Sequence, residues 1–297
     1  MQDKFKSGFV TIVGKPNVGK STLINSLVNK KIAIVSKRPE TTRANIQGIL
    51  TTKDSQIIFI DTPGIHKPHL LLGKVMVRKA SFSLLEADLV LFMVELTTGL
   101  EREDLQIVDL IIDAKKPAIL IINKIDLVSK SRLLPMIDEL KDLYDFIDFI
   151  PISALTGDNI NLLKERVSGL LSKGDSYYPD DQITDKDDKF QAAEIIREKI
   201  LLLTREEVPH SVAVVIDTLT RRQDKDILDI EATIFVERDS QKGIIVGKKG
   251  SMAKDIASRS RLELEDLLGM KVFLKIWVKV LKNWRKDHRS LKRLGLE

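Results

Sequence analysis

The sequence predicts two joined domains: an alternating α/β domain with a mostly parallel sheet and helices on both faces, then a smaller α+β domain. Three observations carry that expectation. Between Phe9 and Leu171, short apolar runs alternate with helix-like segments, the pattern of strands covered on both sides. A stretch rich in Asp, Gly and Pro, "SKGDSYYPDDQITDKDDK", then breaks all periodicity, as a connection between domains does. Behind it the order changes to helix, two strands, helical residues and one more strand. The expected boundaries are 1–172 for the first domain, 173–189 for a linker and 190–297 for the second domain with its basic tail.

The first domain is read from five strand-like runs, "FVTIV", "QIIFID", "LVLFMVE", "AILIIN" and "DFIPIS". Between and after them lie the helix-like "STLINSLVN", "EDLQIVDLIIDA", "LLPMIDELKDL" and "NLLKERVSGLL". The second is read from the helix "FQAAEIIREKILLLT" and the strands "SVAVVIDTLT", "LDIEATIFVE" and "KVFLKIWVKV". A basic segment, "LKNWRKDHRSLKRLG", closes it.

Composition bounds the class. The 297 residues are 43% hydrophobic and 31% charged, which fits folded domains with real cores. No run of about 18 apolar residues marks a membrane span, and the first residues lack a secretory apolar run. There are no cysteines, so disulfides and thiolate metal sites are excluded and a reducing, cytoplasmic setting is expected. The net charge of +5 is uneven. Residues 271–297 hold nine Lys/Arg against two Asp/Glu, a balance of +7, so the remaining 270 residues sum to −2. That block points to a polyanion or to a solvated terminal helix.

Four motifs carry chemistry. "GKPNVGKST" fits G-x-x-x-x-G-K-[ST] with Gly14, Gly19, Lys20 and Ser21, at a strand-to-helix turn. Such a loop cradles phosphate with backbone N–H groups at a helix start. Gly14, Lys15, Pro16, Asn17, Val18, Gly19, Lys20, Ser21 and Thr22 are therefore expected around the phosphates, Lys20 reaching the β/γ-phosphates and Ser21 ligating Mg²⁺. "DTPG" follows a strand: Asp61 is expected to hold Mg²⁺ through water, the Gly64 N–H to sense the γ-phosphate, and Thr62, Pro63 and Ile65 to flank them. "NKID" supplies Asn123, Lys124 and Asp126. Two carboxylate oxygens on Asp126 match the adjacent N1–H and 2-amino donors of guanine, whereas adenine would leave that carboxylate unpaired. "SAL", Ser153, Ala154 and Leu155, is expected to place the Ala154 N–H on guanine O6.

In this order, each at a strand end, the motifs resemble those of the translation-factor-type GTPases. The resemblance implies GTP and GDP as ligands, Mg²⁺ as cofactor, and slow hydrolysis to GDP and phosphate. It implies a mobile switch I in "VSKRPETTRANI", with Thr42 rather than Thr41 as its magnesium ligand. It makes Lys20, Asn17, Thr42 and Gly64 the expected catalytic set. Where many relatives carry a water-orienting glutamine this chain has Ile65, as in a subgroup that recruits a potassium ion. Asn17 stands at the matching loop position; its other reading is a turn residue that tolerates unusual backbone angles. His66 and His69 lack a third ligand and are expected to face solvent rather than bind metal.

The stretch "IIVGKKGSM" has no second Gly-Lys-Ser and so is not a second phosphate loop. Gly247-Lys248-Lys249-Gly250 form instead a G-x-x-G between helix-like residues. Set within α-β-β-α-α-β, it resembles the nucleic-acid clamp of a type II KH domain. On the last strand Phe273, Lys275, Trp277 and Lys279 share one face. Trp277 either stacks bases or packs beneath a helix. Trp284, flanked by Lys282 and Arg285, is a second stacking candidate.

A GTPase domain with GKPNVGKS, TTR, DTPG, NKID and SAL, joined to a KH domain with VGKKG, is similar over the whole chain to the Era family of bacterial GTPases. That resemblance implies binding to 16S ribosomal RNA near its 3′ end, a role in small-subunit maturation, and association with the inner face of the cell membrane. A monomer is expected. Two rival readings are a basic end that binds anionic membrane and a second domain that binds only protein. The switch expected is one in which GTP orders switch I and switch II, reorients the KH domain and exposes its RNA groove.

Overall fold

The structure is a computed structural model and describes residues 5–38, 40–65, 68, 70–95, 97, 100–129, 131, 133–223 and 226–297. His66 and His69 lie outside the described residues. Contacts divide the chain into two compact units, the first reaching Asp185, the second made of Lys186–Glu297 with short pieces of the first half, Ile34–Arg38 among them.

In the first unit six strands, β1 (Lys6–Val13), β2 (Ile46–Thr51), β3 (Ser55–Asp61), β4 (Leu89–Glu95), β5 (Ala118–Asn123) and β6 (Asp148–Pro151), pair in the order β2-β3-β1-β4-β5-β6. All neighbours are parallel except β2 and β3. Every residue of β3 and β5 is buried, which is why these strands read as unbroken apolar runs. The helices are α1 (Lys20–Val28), α2 (Leu71–Glu86), α3 (Arg102–Ala114), α4 (Leu133–Leu140) and α5 (Ile160–Leu170). Ala80 and Leu84 of α2 and Ile107 and Ile111 of α3 cluster with Val90, Phe92, Leu120 and Ile122. α1 packs against β2, β3 and α5.

Two elements escaped the sequence reading. β2, "IQGILT", is a half-polar edge strand. α2 buries Leu72, Met76, Ala80 and Leu84, a four-residue spacing that the interspersed Lys, Arg and Ser obscure.

The expected linker is largely an ordered strap. Ser7 N–H donates to Ser172 O and Gly174 N–H to Phe5 O. The buried Gln56 accepts the N–H groups of Tyr177 and Tyr178 and donates to Tyr178 O. Tyr178 Oη donates to Gln47 Oε1 at 2.6 Å. Along β2, Ile49 N–H donates to Ile183 O at 2.8 Å and Gln47 N–H to Asp185 Oδ1 at 2.9 Å. The segment reads as linker because polar groups satisfy an exposed sheet edge here, where apolar periodicity would mark a strand.

In the second unit α6 (Asp188–Leu203) is capped by Asp187, whose side chain accepts the Phe190 N–H. The sheet order is β7 (Ala213–Arg221), β8 (Ile227–Val236), β9 (Lys271–Val280), antiparallel then parallel. α7 (Asp239–Val246) and α8 (Ser251–Leu268) link β8 to β9. Ile195, Ile196, Ile200, Ile256 and Leu264 pack on Ile230, Ala232 and Ile234. The expected α-β-β-α-α-β order is present. The basic end is no free tail: Trp284 and Leu291 are fully buried, and α9 (His288–Arg293) is capped by Asp287. Among the described residues no helix is long and apolar enough to cross a membrane.

The strap yields a test. Asp185→Ala removes the acceptor for Gln47 N–H and should cost about 1 kcal/mol. Hydrogen exchange should accelerate at Gln47 and Ile49 while amides of β4 and β5 stay protected. Unchanged exchange at Gln47 would show that the strap does not hold this edge.

Candidate functional site

The phosphate loop turns between Val13 and Lys20 under tight steric limits. A Cβ on Gly14 would lie 2.5 Å from Met93 O. Gly19 has φ +110°, and a Cβ there would meet Asn123 Nδ2 at 2.3 Å. Only glycine fits either place. Val18 is fully buried and anchors the loop. Asn17 has φ 65°, a backbone that asparagine tolerates, so its turn role is enough to account for the residue. A Cβ on Gly64 would collide with Pro16, so the DTPG loop lies directly against the phosphate loop. Thr62 Oγ1 donates to Ile12 O at 2.8 Å and fixes it.

Lys20 is buried, and its ammonium donates to Gly14 O at 2.8 Å and Lys15 O at 2.9 Å. Burial lowers it to about 8, against the opposing pull of the Asp61 and Asp104 charges. Ser21 Oγ donates to Asp61 Oδ2 at 2.7 Å and lies 2.9 Å from Thr42 Oγ1, itself 3.3 Å from Asp61 Oδ2. Asp61 is completely buried and its Oδ1 has no partner among the described residues. Burial raises its carboxyl, opposed by Lys20 and the two hydroxyls. Three converging oxygens, one of them a buried carboxylate with spare capacity, fit a hard divalent cation such as Mg²⁺. The structure brings Thr42, the expected switch I threonine, into this set.

At the neighbouring strand ends Asn123 is a strut. Its Nδ2 donates to Val18 O at 2.7 Å and its Oδ1 accepts the Ala154 N–H at 3.0 Å. The Ala154 N–H expected on guanine O6 is thus engaged by Asn123. Ser153, fully buried, donates from Oγ to Asp126 Oδ1 at 2.6 Å. Asp126 is exposed, with Oδ2 unpartnered among the described residues. Lys124 takes φ 64° and pairs with Glu95. Leu155 is exposed.

Two side chains in these motifs are engaged by the protein itself. Ile65 is buried in the cluster of Val13, Ala80 and Leu84, so packing explains an apolar residue there. The Lys15 ammonium is 2.5 Å from Glu101 Oε2 and 3.4 Å from Asp104 Oδ2, which leaves its backbone as the part that can face phosphate. Burial pulls Lys15 down, but these two partners outweigh it and the net shift is upward. Glu101, Asp104 and Glu95 were not singled out from sequence; the Glu-x-x-Asp spacing ahead of α3 is the signal that finds the first two.

In the second unit Gly247 has φ 72° and ψ 174°, Lys249 φ 52° and Gly250 φ 80°. A Cβ on Gly247 would lie 2.7 Å from Met252 N. Lys248 and Lys249 are exposed. The turn presents two ammonium groups and bare backbone at the start of α8. On β9, Phe273 and Trp277 are exposed with cations over their rings, Arg222 at 5.3 Å and Lys275 at 4.8 Å. Lys275 also pairs with Glu231 at 3.2 Å, and Lys279 is exposed. Trp277 is therefore not packed beneath a helix. Trp284, by contrast, has no exposure, and its Nε1 donates to Ser211 O at 3.1 Å. It is a core residue and no base can stack on it. Arg285 is tied to Glu237.

Profiles of two families match the chain, one described as a 50S ribosome-binding GTPase over residues 9–124 and one as a KH domain over residues 207–285. A solved structure of an Era variant from Aquifex aeolicus bound to GDP and AlF4⁻ is 43% identical, covers 98% of this chain and 99% of its own, and superposes with a TM-score of 0.95. The chain belongs to the Era family. A second Era structure, in complex with MgGDPNP and nucleotides 1506–1542 of 16S ribosomal RNA, shows the same identity and coverage with a TM-score of 0.96. This Era-family chain thus shares both units and their order with those proteins.

Two predictions follow from the geometry. Without phosphate, Lys20 is half neutral near pH 8; a diphosphate favours the charged form, so GDP binding above that pH takes up protons and weakens as pH rises. Calorimetry of metal-free GDP binding at pH 8.5, in buffers of different ionisation enthalpy, should register an uptake of about half a proton or more. Lys20→Arg should register none, because guanidinium stays charged; no uptake in wild type would contradict the assignment. Separately, Trp284→Ala should cost about 3–5 kcal/mol and Trp277→Ala within about 0.5 kcal/mol, by denaturant unfolding. Equal costs would return Trp284 to the surface.

Proposed function

We propose that this protein is a GTP-hydrolysing switch that binds small-subunit ribosomal RNA near its 3′ end through the second unit and assists small-subunit assembly. The observation that carries this reading is the Era structure holding MgGDPNP and 16S nucleotides 1506–1542, at 43% identity across 98% of this chain. Ribosomal RNA as partner makes the cytoplasm its place of work.

Each residue set has a role in this reading. Backbone N–H groups of the phosphate loop and Lys20 hold the β/γ-phosphates. Ser21 and Thr42 directly, and Asp61 through water, would hold Mg²⁺, which would supply positive charge to the phosphate oxygens during hydrolysis. Asp126, steadied by Ser153, reads guanine. Thr42 and the Gly64 N–H sense the γ-phosphate, so hydrolysis releases both switch segments. Asn17 is the exposed loop group that would serve a potassium ion; turnover in potassium against sodium at equal ionic strength tests it. Gly247–Gly250 clamps the sugar-phosphate backbone, with Lys275, Trp277 and Lys279 as further RNA contacts.

Asp126→Asn exchanges an acceptor for a donor. It should lose GTP binding by about 10²-fold or more and gain xanthosine triphosphate, whose 2-oxo group accepts where guanine donates. Retained preference for GTP would refute the guanine assignment. For the RNA loop, Lys248→Glu with Lys249→Glu leaves the strained glycines untouched. Affinity for a 3′-end 16S fragment should fall at least about tenfold with a shallower salt dependence, while GTP turnover without RNA is unchanged. Wild-type RNA affinity in that variant would make the loop an ordinary turn.

A further inference from the structure

The acid pair that holds Lys15 is more than a core ion pair. Glu101 caps α3 and Asp104 is the third residue of its first turn; Glu101 N–H donates to Asp104 Oδ2 at 3.0 Å, and Asp104 N–H donates back to Glu101 O. This reciprocal cap makes a stiff platform. Asp104 is fully buried, and its Oδ1 has no partner among the described residues. A carboxylate so placed depends on a nearby cation, and Lys15 is that cation at 3.4 Å. Lys15 is equally committed from its own side, with its ammonium on Glu101 Oε2 and almost no exposure.

The other end of Lys15 sits within the reaction machinery. Its carbonyl accepts a hydrogen bond from Lys20 Nζ, as does the carbonyl of Gly14. The far flank of the same loop is tied by Asn123 to Val18 O. A loop built on Gly14 and Gly19 has little stiffness of its own, so its shape depends on ties at both flanks. On one flank the tie runs from the α3 cap through the Lys15 side chain to the Lys15 carbonyl and so to Lys20.

We propose that Glu101 and Asp104 are positioning residues for GTP hydrolysis, acting through Lys15 to fix the half of the phosphate loop that aims Lys20. Neither acid needs to touch nucleotide. The consequence is that the start of α3 sets the nucleotide residence time, and that anything bound there alters it.

The test uses the full chain with Glu101→Gln, Asp104→Asn, both together, and Lys15→Arg. Asp104→Asn keeps an amide oxygen to accept the Glu101 N–H, so the cap persists while the charge goes. GDP release is followed with a fluorescent analogue, kcat and KM for GTP at steady state, and thermal midpoint in parallel. The double variant should release GDP on the order of tenfold faster, within the usual range of site-to-site coupling, and lose kcat more than KM changes. Lys15→Arg, which keeps the charge pairing, should release GDP more slowly than the double variant; release as fast as the double variant's would count against the tie. Tyr178→Phe, a mild destabilisation on the strap, controls for stability and should leave release unchanged. A double variant with a lowered midpoint but wild-type release and kcat would overturn the proposal. Should the double variant not fold, Glu101→Gln decides alone, because Glu101 is half-exposed: faster release supports the tie, and wild-type release rejects it.

Discussion

Asp61 is completely buried, and one of its two carboxylate oxygens has no partner among the described residues. In a protein interior such a group is costly unless a charge meets it. The buried ammonium of Lys20 supplies part of that charge, and the hydroxyls of Ser21 and Thr42 supply polar contact to the second oxygen. What remains unsatisfied fits a divalent cation and the phosphates that accompany it. The site is therefore a set of groups that are strained alone and satisfied together with ligand. Ligand binding and local order are in consequence linked, and Thr42, which contacts Asp61, becomes dependent on the state of the nucleotide.

The sheet makes this possible. β1, β3 and β5 are neighbours or near neighbours in a parallel sheet, so their carboxyl ends bring Gly14, Asp61 and Asn123 to one edge from positions far apart in sequence. Steric limits then fix the loops: Gly19 against Asn123 Nδ2, Gly64 against Pro16, Gly14 against Met93 O. The second unit solves a related problem with different means. Gly247, at a backbone angle open to glycine, ends α7 and lets the next turn present backbone and two lysines.

Much of this was legible in sequence because backbone chemistry demands particular residues. Gly14, Gly19 and Gly247 stand where a side chain would collide, and Lys20, Asp61 and Asp126 lie beside the strand ends where their spacing places them. What escaped depends on tertiary partners that spacing does not encode. β2 and the strap 173–185 form one polar edge, and either half alone looks like loop. Lys15 sits inside a phosphate motif yet faces two acids near residue 101. Trp284 lies in a basic run that suggests an exposed aromatic, yet it is fully buried with its Nε1 on Ser211 O. Ile65 packs into the core cluster, a contact the DTPG motif does not announce. The Ala154 N–H is spent on Asn123, a bond between two motifs that were each read separately.

We propose that the oxygens of Ser21, Thr42 and Asp61 convert nucleotide state into affinity for RNA. The direct measurement is the affinity of wild type and Thr42→Ala for a 3′-end 16S fragment, each loaded with Mg²⁺ and either a non-hydrolysable GTP analogue or GDP. Wild type should bind RNA more tightly with the analogue, and Thr42→Ala should show one affinity in both states. A preference that survives in Thr42→Ala, or wild-type binding indifferent to nucleotide, would contradict it.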